Sequence, residues 1–182
     1  MQQNHLRALI ACLAFVPLTG AADEAELGTL NPEELTINSV VDKASRGETP
    51  MMVCAHGYFI TKAGQHERAR EVFEACADAG YTQAMTWMSY MDDNGLGDHE
   101  NPVAAAEWDR LAAEAGDPIG EFNYGLDLLR GRGVSRDPIL GRKMIDRAAA
   151  QGLAVAQELQ SSGYDLDVVT PDADNWKYAP NF

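Results

Sequence analysis

The chain has 182 residues, 46% of them hydrophobic, with 14 Lys+Arg against 28 Asp+Glu and a formal net charge of −14. Such a chain suits one modest domain with a real core. Its acidity argues against nucleic acid and anionic membrane surfaces and favours cationic partners or simple solubility.

Met1 to Arg7 is polar with one cation, Ala8 to Leu18 is almost wholly apolar, and Gly20-Ala21-Ala22 leads into the acidic Asp23-Glu24-Ala25-Glu26. A charged start, a short apolar run and a small-residue exit describe a signal peptide over residues 1–22, cleaved after Ala22. The expected location is then periplasmic or secreted. The run falls short of the roughly 20 apolar residues of a membrane span. A rival reading takes Leu9-Ile10-Ala11-Cys12 as a lipobox and the chain as a lipoprotein acylated at Cys12. Against it, the apolar run continues beyond Cys12 to Leu18. Cleavage removes Arg7 and no acid, leaving 13 Lys+Arg against 28 Asp+Glu, or −15. Residues 23–46 form an N-terminal extension, and its amphipathic stretch 32–46 (Leu35, Val40, Val41, Ala44) is expected to be a capping helix.

Residues 47–162 carry a 36-residue period. Gly80, Gly116 and Gly152 are 36 apart, as are Gly95 and Gly131, Gly97 and Gly133, Ala112 and Ala148. Self-similarity at this spacing marks a helical solenoid, in which each unit buries its apolar face against its neighbours. Five prolines follow a capping residue: Asn31-Pro32, Thr49-Pro50, Asn101-Pro102, Asp117-Pro118 and Asp137-Pro138. Proline tolerates the first helical position, and the preceding side chain can accept from free amides, so each pair reads as a helix start. Between them the apolar residues keep helical spacing, as in Ala84, Trp87, Met88 and Met91. The expected pairs are 50–62 with 66–79, 82–93 with 102–115, and 118–130 with 138–151. A last helix, 153–161, begins a unit that is never finished and covers the end. From Gly163 to Phe182 an acidic, irregular tail carries Tyr164, Trp176, Tyr178 and Phe182, which are expected to pack back.

Cys54 and Cys76 remain after export, one on each helix of the first pair. An even count in an exported chain invites a disulfide. The alternative is two small buried side chains, since Cys76 aligns with Ala112 and Ala148.

The run Gly120-Glu-Phe-Asn-Tyr-Gly-Leu-Asp-Leu-Leu-Arg-Gly131-Arg-Gly-Val-Ser-Arg-Asp137, followed by Met144 and Ala148-Ala149-Ala150-Gln151-Gly152, resembles the Sel-one-like repeat, the longer-looped relative of the tetratricopeptide repeat. The second unit keeps Ala84, Gly95-Leu96-Gly97, Trp108 and Ala112-Ala113, with Ser89 where the tightly packed glycine is usual. The first, with Gly57, Gly64, Ala69, Phe73 and Cys76, looks like an ordinary tetratricopeptide unit. The expected fold is an all-α, right-handed α-solenoid of about three helix-turn-helix repeats with capping helices at both ends. Small residues at Gly57, Ser89 and Gly125 are expected to face Ala69, Ala105 and Gly141, while Phe73, Trp108 and Met144 fill the gaps between units.

Catalytic constellations are absent from the sequence. There is no Gly-x-Ser-x-Gly, no Ser-x-x-Lys and no His-Glu-x-x-His, and His56, His66 and His99 do not cluster. No cofactor or metal is expected; the Asp92-Asp93-Asn94-Gly95 stretch lacks EF-hand spacing. The resemblance implies a non-enzymatic scaffold whose concave groove, lined by first helices, takes a protein or peptide, possibly one with a basic surface. By repeat position its groove residues are Tyr58, Lys62, Tyr90, Asp93 and Arg130. The alternative is a binder or modifier of cell-envelope glycan or peptidoglycan fragments.

Overall fold

A computed structural model describes residues 36–169. The expected leader with Cys12, the Asn31-Pro32 pair, Leu35, and the aromatics Trp176, Tyr178 and Phe182 lie outside the described residues. Those described form α1 (Ile37–Ser45), α2 (Met51–Lys62), α3 (His66–Asp78), α4 (Thr82–Asn94), α5 (Pro102–Glu114), α6 (Pro118–Arg130), α7 (Pro138–Ala150) and α8 (Ala154–Ser161), then a 3-10 turn over Leu166–Val168. No strand occurs among them. Helices α2–α3, α4–α5 and α6–α7 pair as hairpins, and each second helix also packs on the first helix of the following unit. Contacts run between neighbours, as expected of a solenoid.

Local chemistry sets most helix starts. Asn101 accepts from Ala104 N, Asp117 from Ile119 N and Gly120 N, and Asp137 from Ile139 N and Leu140 N, each with proline next in the chain. Helices α1 and α2 start by other means. Helix α1 begins at Ile37, where Thr36 accepts from Ser39 N, and α2 has Pro50 as its cap residue without a side-chain cap bond. Val40, Val41 and Ala44 of α1 are buried in the core of the first hairpin, so α1 covers that end of the stack. Tyr164 packs back on α7: its hydroxyl donates to Asp146 Oδ1 at 2.5 Å, and Arg142 lies 4.9 Å from its ring centroid.

The Gly-x-Gly loops hold units in register. Gly95 and Gly131 end α4 and α6 at φ of 62° and 72°, a left-handed conformation that glycine adopts at little cost. Two residues on, a Cβ on Gly133 would stand 1.9 Å from the Pro102 carbonyl oxygen, and one on Gly97 would stand 2.7 Å from the Glu67 nitrogen. Each loop therefore sits on the first turn of the preceding unit's second helix.

The apolar interior forms two clusters, one spanning α1–α4 and one spanning α6–α8. Between them α5 contributes small Ala105, Ala106, Ala112 and Ala113, together with the buried carboxyl of Asp109. The expected columns of small and bulky residues need correcting. Gly125 does face Gly141, but a Cβ on Gly57 would lie 2.5 Å from the Phe73 ring and one on Gly125 would lie 2.7 Å from Ile145. Phe73 therefore shares a column with Asp109 and Ile145, at 36-residue steps, and not with Trp108 and Met144. Each glycine is small because a large side chain of its partner helix occupies its Cβ position.

Candidate interaction groove

Helix α2 is apolar on two faces. Val53, Gly57, Ile60 and Thr61 point into the stack. Met51, Met52, Phe59 and Tyr58 point out, with 75%, 65%, 62% and 41% of their surface exposed. A helix apolar all round is normally buried, and a contiguous exposed apolar patch marks a surface made to be covered. Behind the patch stands a rigid aromatic group. Trp87 of α4 stacks on Phe73 with centroids 5.5 Å apart and takes the edges of Tyr58 and Tyr90, each at 5.5 Å. The Lys62 ammonium sits 5.3 Å from the Tyr58 centroid. Edge-to-face and cation–π contacts fix these rings before any ligand arrives.

A second group lies where α4, α5 and α6 meet. Asp93, Asp109, Asn123, Asp127, Arg130 and Arg132 line one narrow crevice. Asp109 accepts from Ser89 Oγ at 2.5 Å and from Asn123 Nδ2 at 3.2 Å. Its carboxyl is held well above the usual carboxylate range, first by burial and then by the nearby charge of Asp127. Arg132, from the loop after α6, reaches back to Asp93 at 3.0 Å and Glu100 at 3.7 Å. On the far side of α4, Asp92 pairs with Arg70 at 2.7 Å.

The five residues expected on the groove thus divide into two groups. Tyr58, Lys62 and Tyr90 share the aromatic cluster around Trp87; Asp93 and Arg130 share the polar crevice. Tyr90 is half-buried as part of the ring cluster rather than a projecting contact. Sequence reasoning missed Phe59, Asp109, Asn123, Asp127 and Arg132. The signal for Asp109 was present in the 36-residue column of Phe73, Asp109 and Ile145, where a carboxyl interrupts two large apolar side chains.

Cys54 and Cys76 are joined as a disulfide between α2 and α3, 22 residues apart. Among the described residues no three His, Cys, Asp or Glu side chains are grouped so as to hold a metal ion. None of the described helices is long and apolar enough to cross a membrane.

No protein-family profile matches this chain, and none of the curated proteins matches it in sequence. Solved structures do match. A Sel1 repeat protein from Oxalobacter formigenes is similar at a TM-score of 0.56 and 29% identity, over 66% of this chain and 49% of that one. A protective antigen of uropathogenic Escherichia coli strains that displays an SLR fold is similar at 0.50 and 19% identity, over 74% of this chain and 35% of the antigen. Cysteine-rich protein B of Helicobacter pylori is similar at 0.54 and 16% identity, over 69% of this chain and 98% of that one. At those last two identities the likeness is one of fold. The chain spans about half the length of the Oxalobacter protein and about a third of the antigen.

Proposed function

We propose that this chain, similar in structure to Sel1 repeat proteins, is a non-enzymatic interaction module of the cell envelope, holding a protein or peptide segment against α2 and α4. The observation that carries this is the outward face of α2, where Met51, Met52, Tyr58 and Phe59 are exposed in front of a prearranged ring cluster. Aromatic anchors of this kind supply contact area at little entropic cost. The partner segment carries apolar side chains for that face and basic residues to match a chain of net charge −14. Export, through the leader read at residues 1–22, places the encounter in the periplasm or outside.

Selection from a random peptide library tests this. Enriched peptides combine aromatic or aliphatic anchors with Lys or Arg, and their binding weakens when Tyr58 and Phe59 are both alanine. Peptides indifferent to those substitutions would overturn the site. A glycan array read in parallel decides the other class: glycan fragments bound where no peptide is would favour the carbohydrate-binding alternative.

A further inference from the structure

Phe73, Asp109 and Ile145 occupy equivalent places on the second helices of the three hairpins, 36 residues apart. In the first and third hairpins the facing position is glycine, Gly57 or Gly125, and the apolar side chain fills its Cβ space. In the second both members differ together. Ser89 replaces the glycine and Asp109 the apolar residue, each 3% exposed, with the hydroxyl donating to the carboxyl at 2.5 Å. A solenoid interface is built of apolar contacts, so a matched polar pair inside it departs from the pattern of its own neighbours.

The surroundings of Asp109 do not favour a charge. Its hydrogen-bond donors, Ser89 from α4 and Asn123 from α6, are neutral. The charged groups facing it are Asp93 from α4, Asp127 and Arg130 from α6, and Arg132 from the loop beyond. Arg132 is engaged by Asp93 and Glu100, and Arg70 of α3 is taken by Asp92 on the other side of α4. Asp127 and Asp93 both oppose ionisation of Asp109.

We infer that Asp109 is a proton-operated latch at the junction of the second and third hairpins. Protonated, it is a neutral side chain that the closed space between α4 and α6 accommodates without the cost of a buried charge. Ionised, it buries a charge beside the like charges of Asp127 and Asp93 and loosens that junction. Burial, the larger cause, and Asp127 raise its folded pKa well above 3.8, outweighing the bonds from Ser89 and Asn123. The folded chain therefore binds this proton more tightly than the unfolded chain. The stabilisation is complete below the ordinary Asp value and is lost as pH rises through the raised folded value. The latch operates whatever the groove binds.

Urea unfolding of the full chain across about pH 4 to 8, beside Asp109→Asn and the double variant Ser89→Gly with Asp109→Ile, tests it. Asparagine keeps the shape and cannot ionise; the double variant rebuilds the pair of the third hairpin. Relative to Asp109→Asn, the unfolding constant of the natural chain should climb with pH by up to about tenfold per pH unit within the window between the two pKa values. The double variant should lack that climb as well. Carboxyl carbon-13 shifts should show Asp109 titrating above the other aspartates. Parallel pH curves for the natural chain and Asp109→Asn would overturn the latch, as would a carboxyl titrating at the ordinary value. Should the double variant fail to fold, the asparagine comparison and the carboxyl titration decide alone.

Discussion

Ser89 donates its hydroxyl to Asp109 at 2.5 Å inside the second hairpin, in the place where Gly57 receives the ring of Phe73 and Gly125 the side chain of Ile145. The three hairpins share a backbone, yet the middle one carries a polar interior. That interior opens on the crevice of Asp93, Asp127 and Arg130, while the aromatic cluster lies where α4 meets the first hairpin. Two surfaces of different chemistry thus lie along one row of first helices.

Replacing Tyr58 and Phe59 with alanine should weaken capture of selected peptides and leave the melting temperature nearly unchanged. Both side chains are largely outside the core, at 41% and 62% exposed, and exposed changes usually cost within about 0.5 kcal/mol. A control on the second helices, Glu74→Ala with Lys143→Ala, should leave binding intact. If the control abolishes binding and the aromatic pair does not, the partner docks on the convex side.

Two glycines separate packing from backbone strain. Gly152 has φ of 93° with nothing within 4 Å of a Cβ, whereas Gly133 has φ of 65° and a Cβ there would meet the Pro102 carbonyl at 1.9 Å. Alanine at Gly152 should cost about 1 kcal/mol in strain alone. At Gly133, overpacking adds to strain for about 2–5 kcal/mol. Chemical denaturation of the two variants measures the difference, and equal losses would refute the role of the loop as a seat on α5.

Reduction should destabilise the first hairpin. A bridge closing 22 residues contributes about 3 kcal/mol by constraining the unfolded chain. Thiol titration of the denatured, unreduced chain from residue 23 onward should find no free thiol. Reductant should lower the urea midpoint and leave α7 and α8 the most protected against hydrogen exchange. Two free thiols in exported material would remove this bridge from the account.

Glu121 is 0% exposed; it pairs with Arg147 and accepts from Gln151 at 2.8 Å. Arg147→Ala leaves a buried carboxylate without its cation. The Arg147 side chain is 48% exposed, so water partly compensates and the loss should fall below the ~3–5 kcal/mol of a fully buried pair, at about 2–3 kcal/mol. Glu121→Met together with Arg147→Met should recover most of it, because the pair removed as a unit leaves no charge behind. A double variant as unstable as Arg147→Ala would contradict this.

Much of the fold was legible in the chain because its signals are local. Asn101-Pro102, Asp117-Pro118 and Asp137-Pro138 each bring a cap and a preset φ to the same two residues, and α5, α6 and α7 start there. Thr49-Pro50 also marks a start, since α2 runs from Met51, although no side-chain cap bond forms there. The arrangement of the candidate groove was legible only in part. Repeat position places Tyr58, Lys62 and Tyr90 on first helices, but does not show that Tyr58 and Tyr90 both meet Trp87. Which rings meet depends on the rotation of α4 against α2 and α3, which periodicity does not encode.

The sequence by itself determined the number of hairpins, their boundaries and their register, because a 36-residue period of glycines and caps acts within one or two turns of backbone. Only the tertiary structure decided which side chains share a space. Gly57 with Phe73, Ser89 with Asp109 and Gly125 with Ile145 are 16, 20 and 20 residues apart in sequence, and their meeting rests on the approach of two helices. The same approach turns Asp109, an aspartate in a helix rich in alanine, into a buried carboxyl, since the cost of its charge is set by the water that α4 and α6 exclude from it.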